Sequence, residues 1–226
     1  MQIIEQEKQL QLVQKLLQSG PSFWIPMYSD PFQHFMNNHI SFIYIYSISE
    51  DFDYIIPFRH KDCYNLNIEL LNDLTSQHEI YVLAKKRFAN FCSIKCYDAD
   101  MIAWWQTHKM LPLDETNTSA HDAWNKWWHN ETNTHDWLPI TKHIERCIGM
   151  RKKFMEYYST FELTKEFESY ERMVTDNFYA IERTGLQIDY NKFIEKFKAN
   201  GIVNNKAYTE YNIWTTTGRP SNKFGG

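Results

Sequence analysis

The residues best suited to chemistry or to polar contact lie in the stretch YNIWTTTGRPSNKFGG, residues 211–226. Thr215, Thr216 and Thr217 precede Gly218, Arg219, Pro220, Ser221, Asn222 and Lys223, a run of short donors, one forked cation and two turn formers with little bulk for a core. A planar guanidinium at Arg219 can donate to minor-groove acceptors, which every Watson–Crick pair presents in nearly the same places, and so test pair shape rather than sequence. Gly218 allows close backbone approach to a duplex, and the threonines, Ser221, Asn222 and Lys223 can reach phosphate or sugar oxygens. The alternative for such a short motif is a surface turn between two strands.

These residues need a body to hold them. The chain has 226 residues, 43% hydrophobic and 16% aromatic, enough for a buried core and for one or two domains. Its 24 basic and 28 acidic side chains give a net charge of −4, which argues against grip on nucleic acid by bulk charge. The balance is uneven: residues 150–226 carry 12 basic and 10 acidic groups against 12 and 18 in residues 1–149, so nucleic-acid contact belongs to the C-terminal third. Cys63, Cys92, Cys96 and Cys147 make no disulfide framework, no cleavable signal precedes them, and a reducing cytoplasm is expected. Cys92 and Cys96 lack a second Cys/His pair at finger spacing, which argues against zinc. His121, His129, His135 and His143 lack helical metal-pair spacing and read as surface residues. No apolar run is long enough for a membrane span.

In chain order, periodicity predicts a helix over 2–19 ended by Gly20, then an extended, irregular entry from Pro21 to Pro31, broken by three prolines. His39–Ile48 and Asp53–Arg59 read as a hairpin around a polar turn. A short helix over Asn67–Leu74, a strand at Glu79–Leu83, a helical turn at Lys85–Phe91 and a strand at Ile94–Tyr97 follow. Asp98 is placed to cap a helix with Met101, Ile102, Trp104 and Trp105. Alternating strands and helices predict an α/β domain over 1–149. Trp124, Trp127 and Trp128 fit one face of a helix packed on that domain, in preference to a base-stacking platform. From Ile140 the pattern is helical until Gly185; Leu186–Ile188 is extended, and Asp189 can cap a helix bearing Phe193 and Phe197, closed by Gly201.

Two motifs, in order, carry a resemblance. Glu182, Gly185, Ile188 and Asp189 form E-x-x-G-x-x-I-D, and Thr215 to Ser221 form T-x-T-G-R-x-S. Together they resemble the junction and palm start of family A (polymerase I type) DNA polymerases. The resemblance implies a ribonuclease H-like 3′–5′ exonuclease domain with a mixed sheet and flanking helices over 1–149, a helical connector with a minimal thumb over 150–210, and the beginning of a palm over 211–226. Ser41 to Phe58 resembles that domain's second and third strands, and Cys96 to Met101 its later strand-to-helix passage.

An active exonuclease of this type needs four carboxylates for two metal ions. No D-x-E precedes Ser41; the middle motif falls on Lys85–Ala89 with alanine at the acidic position; the third falls on the basic stretch 145–153, which has no aspartate. The expectation is a degenerate, inactive exonuclease-like scaffold with no catalytic residue and no metal ligand in this chain. The palm carboxylates and fingers helix of the family follow T-G-R, and this sequence contains neither, so the chain reads as the N-terminal part of a polymerase, one half of a split enzyme or a truncated gene product. The implied partners are primer-template DNA and a palm/fingers polypeptide; Mg²⁺ is implied for the complete polymerase, and no membrane is. Compact thumb and damaged motifs suggest a viral (phage) replication gene, acting in host cytoplasm. The other reading is a non-catalytic exonuclease-fold interaction module of a replication complex.

Overall fold

Apolar side chains crowd both faces of Ser22–Tyr28 and Ile40–Ser47, the pattern of strands covered by helices on each side. A computed structural model of the chain describes residues 1–28, 38–108, 139–189, 202–209, 211–212 and 221–222. It places those two segments, β2 (Ser22–Tyr28) and β3 (Ile40–Ser47), in the middle of a six-stranded sheet. The others are β1 (Gln2–Ile3), β4 (Phe52–Pro57), β5 (Ile80–Val82) and β6 (Tyr97–Asp98), in the order β1-β4-β3-β2-β5-β6. β2, β3 and β4 are antiparallel neighbours; β5 runs parallel to β2, and β6 parallel to β5.

The period of two along the strands sorts the core into two layers. Trp24, Tyr28, Ile43 and Ile45 join Val13, Leu16 and Leu17 of α1 (Leu10–Ser19) and Phe88 of α2 (Lys85–Phe88). Phe23, Ile25, Met27, Phe42, Tyr44 and Tyr46 face the other way, onto α3 (Ala99–His108), α4 (Ile140–Tyr158) and the start of α5 (Lys165–Thr184). Phe23 stacks on Phe154 with ring centroids 4.0 Å apart and planes 10° from parallel, which ties α4 to the central strand. This is a mixed α/β sheet between helical layers, compatible with a ribonuclease H-like exonuclease fold. The boundary drawn at 149/150 falls inside α4, and the core that begins on β2 continues to Phe167.

Several sequence expectations are corrected. The opening helix covers Leu10–Ser19 only: Gln2–Ile3 pairs with β4 at the sheet edge, and Glu7–Gln9 is a 3-10 turn in which the Gln9 side chain accepts from the Gln6 amide. Within Pro21–Pro31 the chain is extended as expected over Ser22–Tyr28, but it is a regular, fully buried strand there and not an irregular entry. Proline normally breaks a central strand because it has no N–H to donate. The Ser22 N–H and the Trp24 carbonyl bond toward β5, so the main chain of Pro26 faces the same side. There β5 has already ended, its last bond to β2 being Leu83 N–H to Trp24 O at 3.0 Å, and Pro26 forfeits no ladder bond. The helical pattern after Ile140 is two helices, separated at 159–164. His143 is buried, not on the surface, because it shares the inward face of α4 with Ile140, Ile144 and Cys147.

Beyond α5 the chain makes small sheets. β7 (Leu186–Gln187), β8 (Ile202–Val203) and β9 (Lys206–Ala207) pair antiparallel in the order β7-β9-β8. Asn204 and Asn205, at φ 49° and 59°, make the tight turn between β8 and β9, so this part of the connector is a hairpin. β10 (Tyr211–Asn212) pairs antiparallel with β11 (Ser221–Asn222). The helix expected from Asp189 to Gly201, with Phe193 and Phe197, lies outside the described residues, as do the stripe of Trp124, Trp127 and Trp128 and the residues His121, His129 and His135.

Candidate functional site

In α/β sheets ligands gather at the carboxyl ends of parallel strands. Here β5 runs on into Leu83–Ala84 and β6 ends in Asp98, and the residues that follow carry titratable side chains into a buried place. Ala84 adopts the left-handed conformation, φ 53° and ψ 52°, uncommon for a residue with a Cβ. The turn is held by Asp100 Oδ2, which accepts the Ala84 N–H at 3.0 Å. Asp98 Oδ1 accepts the Asp100 N–H at 2.9 Å, as expected for the residue that starts α3. Asp98, Asp100 and Glu171 are all buried.

Lys85 is the counter-ion. Its ammonium donates to Glu171 Oε1 at 2.9 Å and stands 3.0 Å from Asp176 Oδ1. Glu171 Oε1 also accepts the Asp98 N–H at 3.0 Å and the Thr175 hydroxyl at 3.2 Å. Burial by itself would lower the Lys85 pKa, but the carboxylates of Glu171 and Asp176 outweigh it and raise the net value. Burial, then the charges of Asp100 and Glu171, push Asp98 well above the ordinary 3.8, with Lys85 offsetting part of the rise. Oxygens of Asp98, Asp100 and Glu171 are engaged by backbone amides, by the Thr175 hydroxyl and by Lys85, and the cluster ties α5 to α2 and β6.

A second buried pair lies beside it. Lys86 donates to Glu182 in the last turn of α5; the side chains are 9% and 2% exposed. Lys86 Nζ also donates to the Tyr211 carbonyl at 2.6 Å, and Glu182 Oε1 accepts the Tyr211 N–H at 2.6 Å. Three residues after Glu182, Gly185 turns the chain at φ 64° and ψ 162°, where a Cβ would stand 2.8 Å from the Tyr208 ring.

At the carboxyl end of β2 the chemistry is apolar. Phe23, Ile25 and Met27 face the helices, and beyond them His60, His143 and Phe42 pack ring against ring, with the two imidazoles 5.5 Å apart. Ala89 follows α2, and the inward residues of α4 are Ile144, Cys147, Met150 and Phe154. Among the described residues no three His, Cys, Asp or Glu side chains stand together as a group that could hold a metal ion. A polar cleft of 420 Å³, lined by Thr75, His78, Glu79, Ser93, Lys95 and Tyr97, lies near the opposite, amino end of β5.

Of the residues expected to contact DNA, Thr215, Thr216, Thr217, Gly218, Arg219 and Lys223 lie outside the described residues. For Ser221 and Asn222 the backbone is described, in β11, across from Asn212 and Tyr211. Sequence reasoning missed Lys85, Lys86, Glu171 and Tyr211. The signal for Glu171 was a carboxylate on the same helical face as Phe167 and Val174, three or four residues from each.

Fold and site thus define a mixed α/β chain whose central strand carries no acidic group toward the helices. No family model matches the sequence, and no curated protein matches it. Among solved structures the chain is similar to the catalytic core of RRP6 from Trypanosoma brucei, with a TM-score of 0.34 and 9% identity over 69% of this chain and 50% of that one. The chain therefore spans about half the length of that structure. Among the described residues no helix is long and apolar enough to cross a membrane.

Proposed function

We propose that this chain is the N-terminal portion of a family A-type DNA-directed DNA polymerase, an exonuclease-like scaffold without nuclease activity that contributes primer-template contacts through Thr215–Lys223. The observation that carries the reading is the place of the junction motif. Glu182 ends α5 buried in the body, Gly185 turns the chain, and Tyr211, four residues before Thr215, is held by Glu182 itself. The junction motif thereby holds the residue that stands four positions before Thr215 in the sequence. In this reading Arg219 follows the minor groove near the primer end, while the two metal ions, Mg²⁺ in the complete polymerase, are held by carboxylates of a palm that this sequence does not include.

The test is fluorescence anisotropy on the whole chain with a recessed primer-template, a blunt duplex and a single strand. Primer-template is expected to bind best, and Arg219→Ala to weaken that binding by about 1–3 kcal/mol. Equal affinity for all three DNAs, or an unaltered Arg219→Ala, would remove the polymerase reading. It would leave the exonuclease-fold interaction module, which the closed charge cluster at Lys85 also favours.

A further inference from the structure

The polar cleft at the amino end of β5 is walled by two stretches of chain, within 72–80 and 93–97, that lead into parallel strands. β5 and β6 pair only from Tyr81 and Tyr97 onward, so the cleft lies where the two chains have not yet joined. Both walls are fixed by side chains bonded to main chain. Gln14 of α1 donates to the Thr75 carbonyl at 2.7 Å and accepts the Thr75 N–H at 2.9 Å, holding that residue as a paired strand would. Ser76 Oγ donates to the Leu17 carbonyl at 2.9 Å and accepts the His78 N–H at 3.1 Å. Opposite, Asn72 Oδ1 accepts both the N–H and the hydroxyl of Ser93 at 3.0 Å, which ties the two walls to each other. A cleft held in this way needs little ordering when a ligand enters, and its 420 Å³ falls within the range of small-ligand sites, about 300–1,000 Å³.

The groups that the walls leave uncommitted are charged. Among the described residues the side chains of His78, Glu79 and Lys95 make no hydrogen bond and no ion pair, although all three line the cleft. His78 and Lys95 are exposed, and Glu79 is half-buried. Tyr97 lends a ring to the wall, its hydroxyl being already given to Glu168. Burial, then the charge of Glu79, raise the Tyr158 phenol above its ordinary value, which sets that carboxylate beside aromatic rings and not in open water. An acid and a base that share a cleft without pairing leave both charges to a ligand. Glu79 repels a simple anion and Lys95 a simple cation, whereas a molecule with both charges satisfies each.

We infer that this cleft binds a small zwitterion, a free amino acid or dipeptide, with its carboxylate on Lys95 and His78 and its ammonium on Glu79. The site draws on no residue of 211–226 and stands or falls apart from the polymerase reading.

The experiment is isothermal titration calorimetry on the whole chain with the common L-amino acids and L-alanyl-L-alanine, followed by two blocked forms of whichever binds. The N-acetylated form lacks the ammonium and the C-terminal amide lacks the carboxylate. The zwitterion is expected to bind about tenfold or more tighter than either blocked form. A free amino acid that outbinds the dipeptide identifies amino acids as the ligand class, and the reverse identifies short peptides. Lys95→Met is expected to weaken the zwitterion by about tenfold and to erase its advantage over the amide, while Glu79→Gln erases its advantage over the N-acetylated form. Both variants are expected to melt at the parent temperature, since neither side chain holds the fold. The zwitterion site is overturned if nothing in the set binds at up to about 10 mM, or if inorganic phosphate or a blocked form binds as tightly as the zwitterion. It is overturned equally if the two variants keep the parent's discrimination, since residues that merely shape the cleft would lower affinity for every form alike.

Discussion

Asp98 sits in an environment that opposes its ordinary charge. Burial, with Asp100 and Glu171 nearby, raises its pKa well above 3.8 in the folded chain, and Lys85 compensates in part. The unfolded chain releases this proton near the ordinary value, so above it the unfolded state is ionised while the folded state must hold a proton or bury a charge. A raised folded-state value means stability that is full below about pH 4 and is lost as pH climbs toward the folded value. Asp98→Asn keeps a side-chain oxygen for the Asp100 N–H, now 2.9 Å away, and removes the charge. It is expected to be more stable than the parent at pH 7 by about 1 kcal/mol or more, with the gap closing toward pH 4. Urea unfolding of both proteins at pH 4, 5.5 and 7 measures it; a parent as stable as the variant at pH 7 would show that Asp98 is carried ionised without cost.

Among the elements, α5 carries both buried clusters, and its start is set by one hydroxyl. Thr164 is extended and its Oγ1 accepts the Phe167 N–H at 3.2 Å, while Glu166 and Glu168 in the first turn complement the helix dipole. Thr164→Ala is expected to cost about 1 kcal/mol, with Thr164→Ser retaining most of it, read from thermal melts. Equal loss in both variants would assign the effect to the threonine methyl. This helix was legible in the sequence because Phe167, Tyr170 and Val174 recur at its period and Gly185 stops it. The hairpin β3–β4 was legible by its β-branched and aromatic residues. β2 was not: prolines forbid a central strand unless the partner strand ends before them, and where β5 ends is a fact of three dimensions. His143 was misread for a related reason, since polarity points outward and only the packed face of α4 shows that an imidazole fills the space beside Phe42 and His60. The turn at Asn204–Asn205 did have a signal, two residues tolerant of positive φ between Ile202–Val203 and Lys206–Ala207, overlooked in favour of a plain connector.

For the molecule as a whole, the consequential question is whether the chain, proposed above to be an exonuclease-like scaffold, has any exonuclease chemistry. Hydrolysis by two metal ions requires carboxylates that are free to bind them. On the central strand the residues facing the helices are Phe23, Ile25 and Met27; after α2 stands Ala89; and α4 turns Cys147, Met150 and Phe154 inward. The carboxylates near the ends of β5 and β6 are committed to backbone amides and to Lys85. On the proposed reading of an inactive scaffold, the whole chain is expected to leave a 5′-labelled single strand intact in about 10 mM Mg²⁺ or Mn²⁺. Thermal stability gives an independent reading: a folded site with a dissociation constant near 0.1 mM would add about 2.7 kcal/mol at that concentration, a shift of several degrees. No such shift is expected from either ion beyond that produced by equal ionic strength of Na⁺. Laddering of the strand, or a rise of several degrees specific to the divalent ion, would mean that carboxylates elsewhere in the chain complete a site, and the scaffold would have to be counted a nuclease.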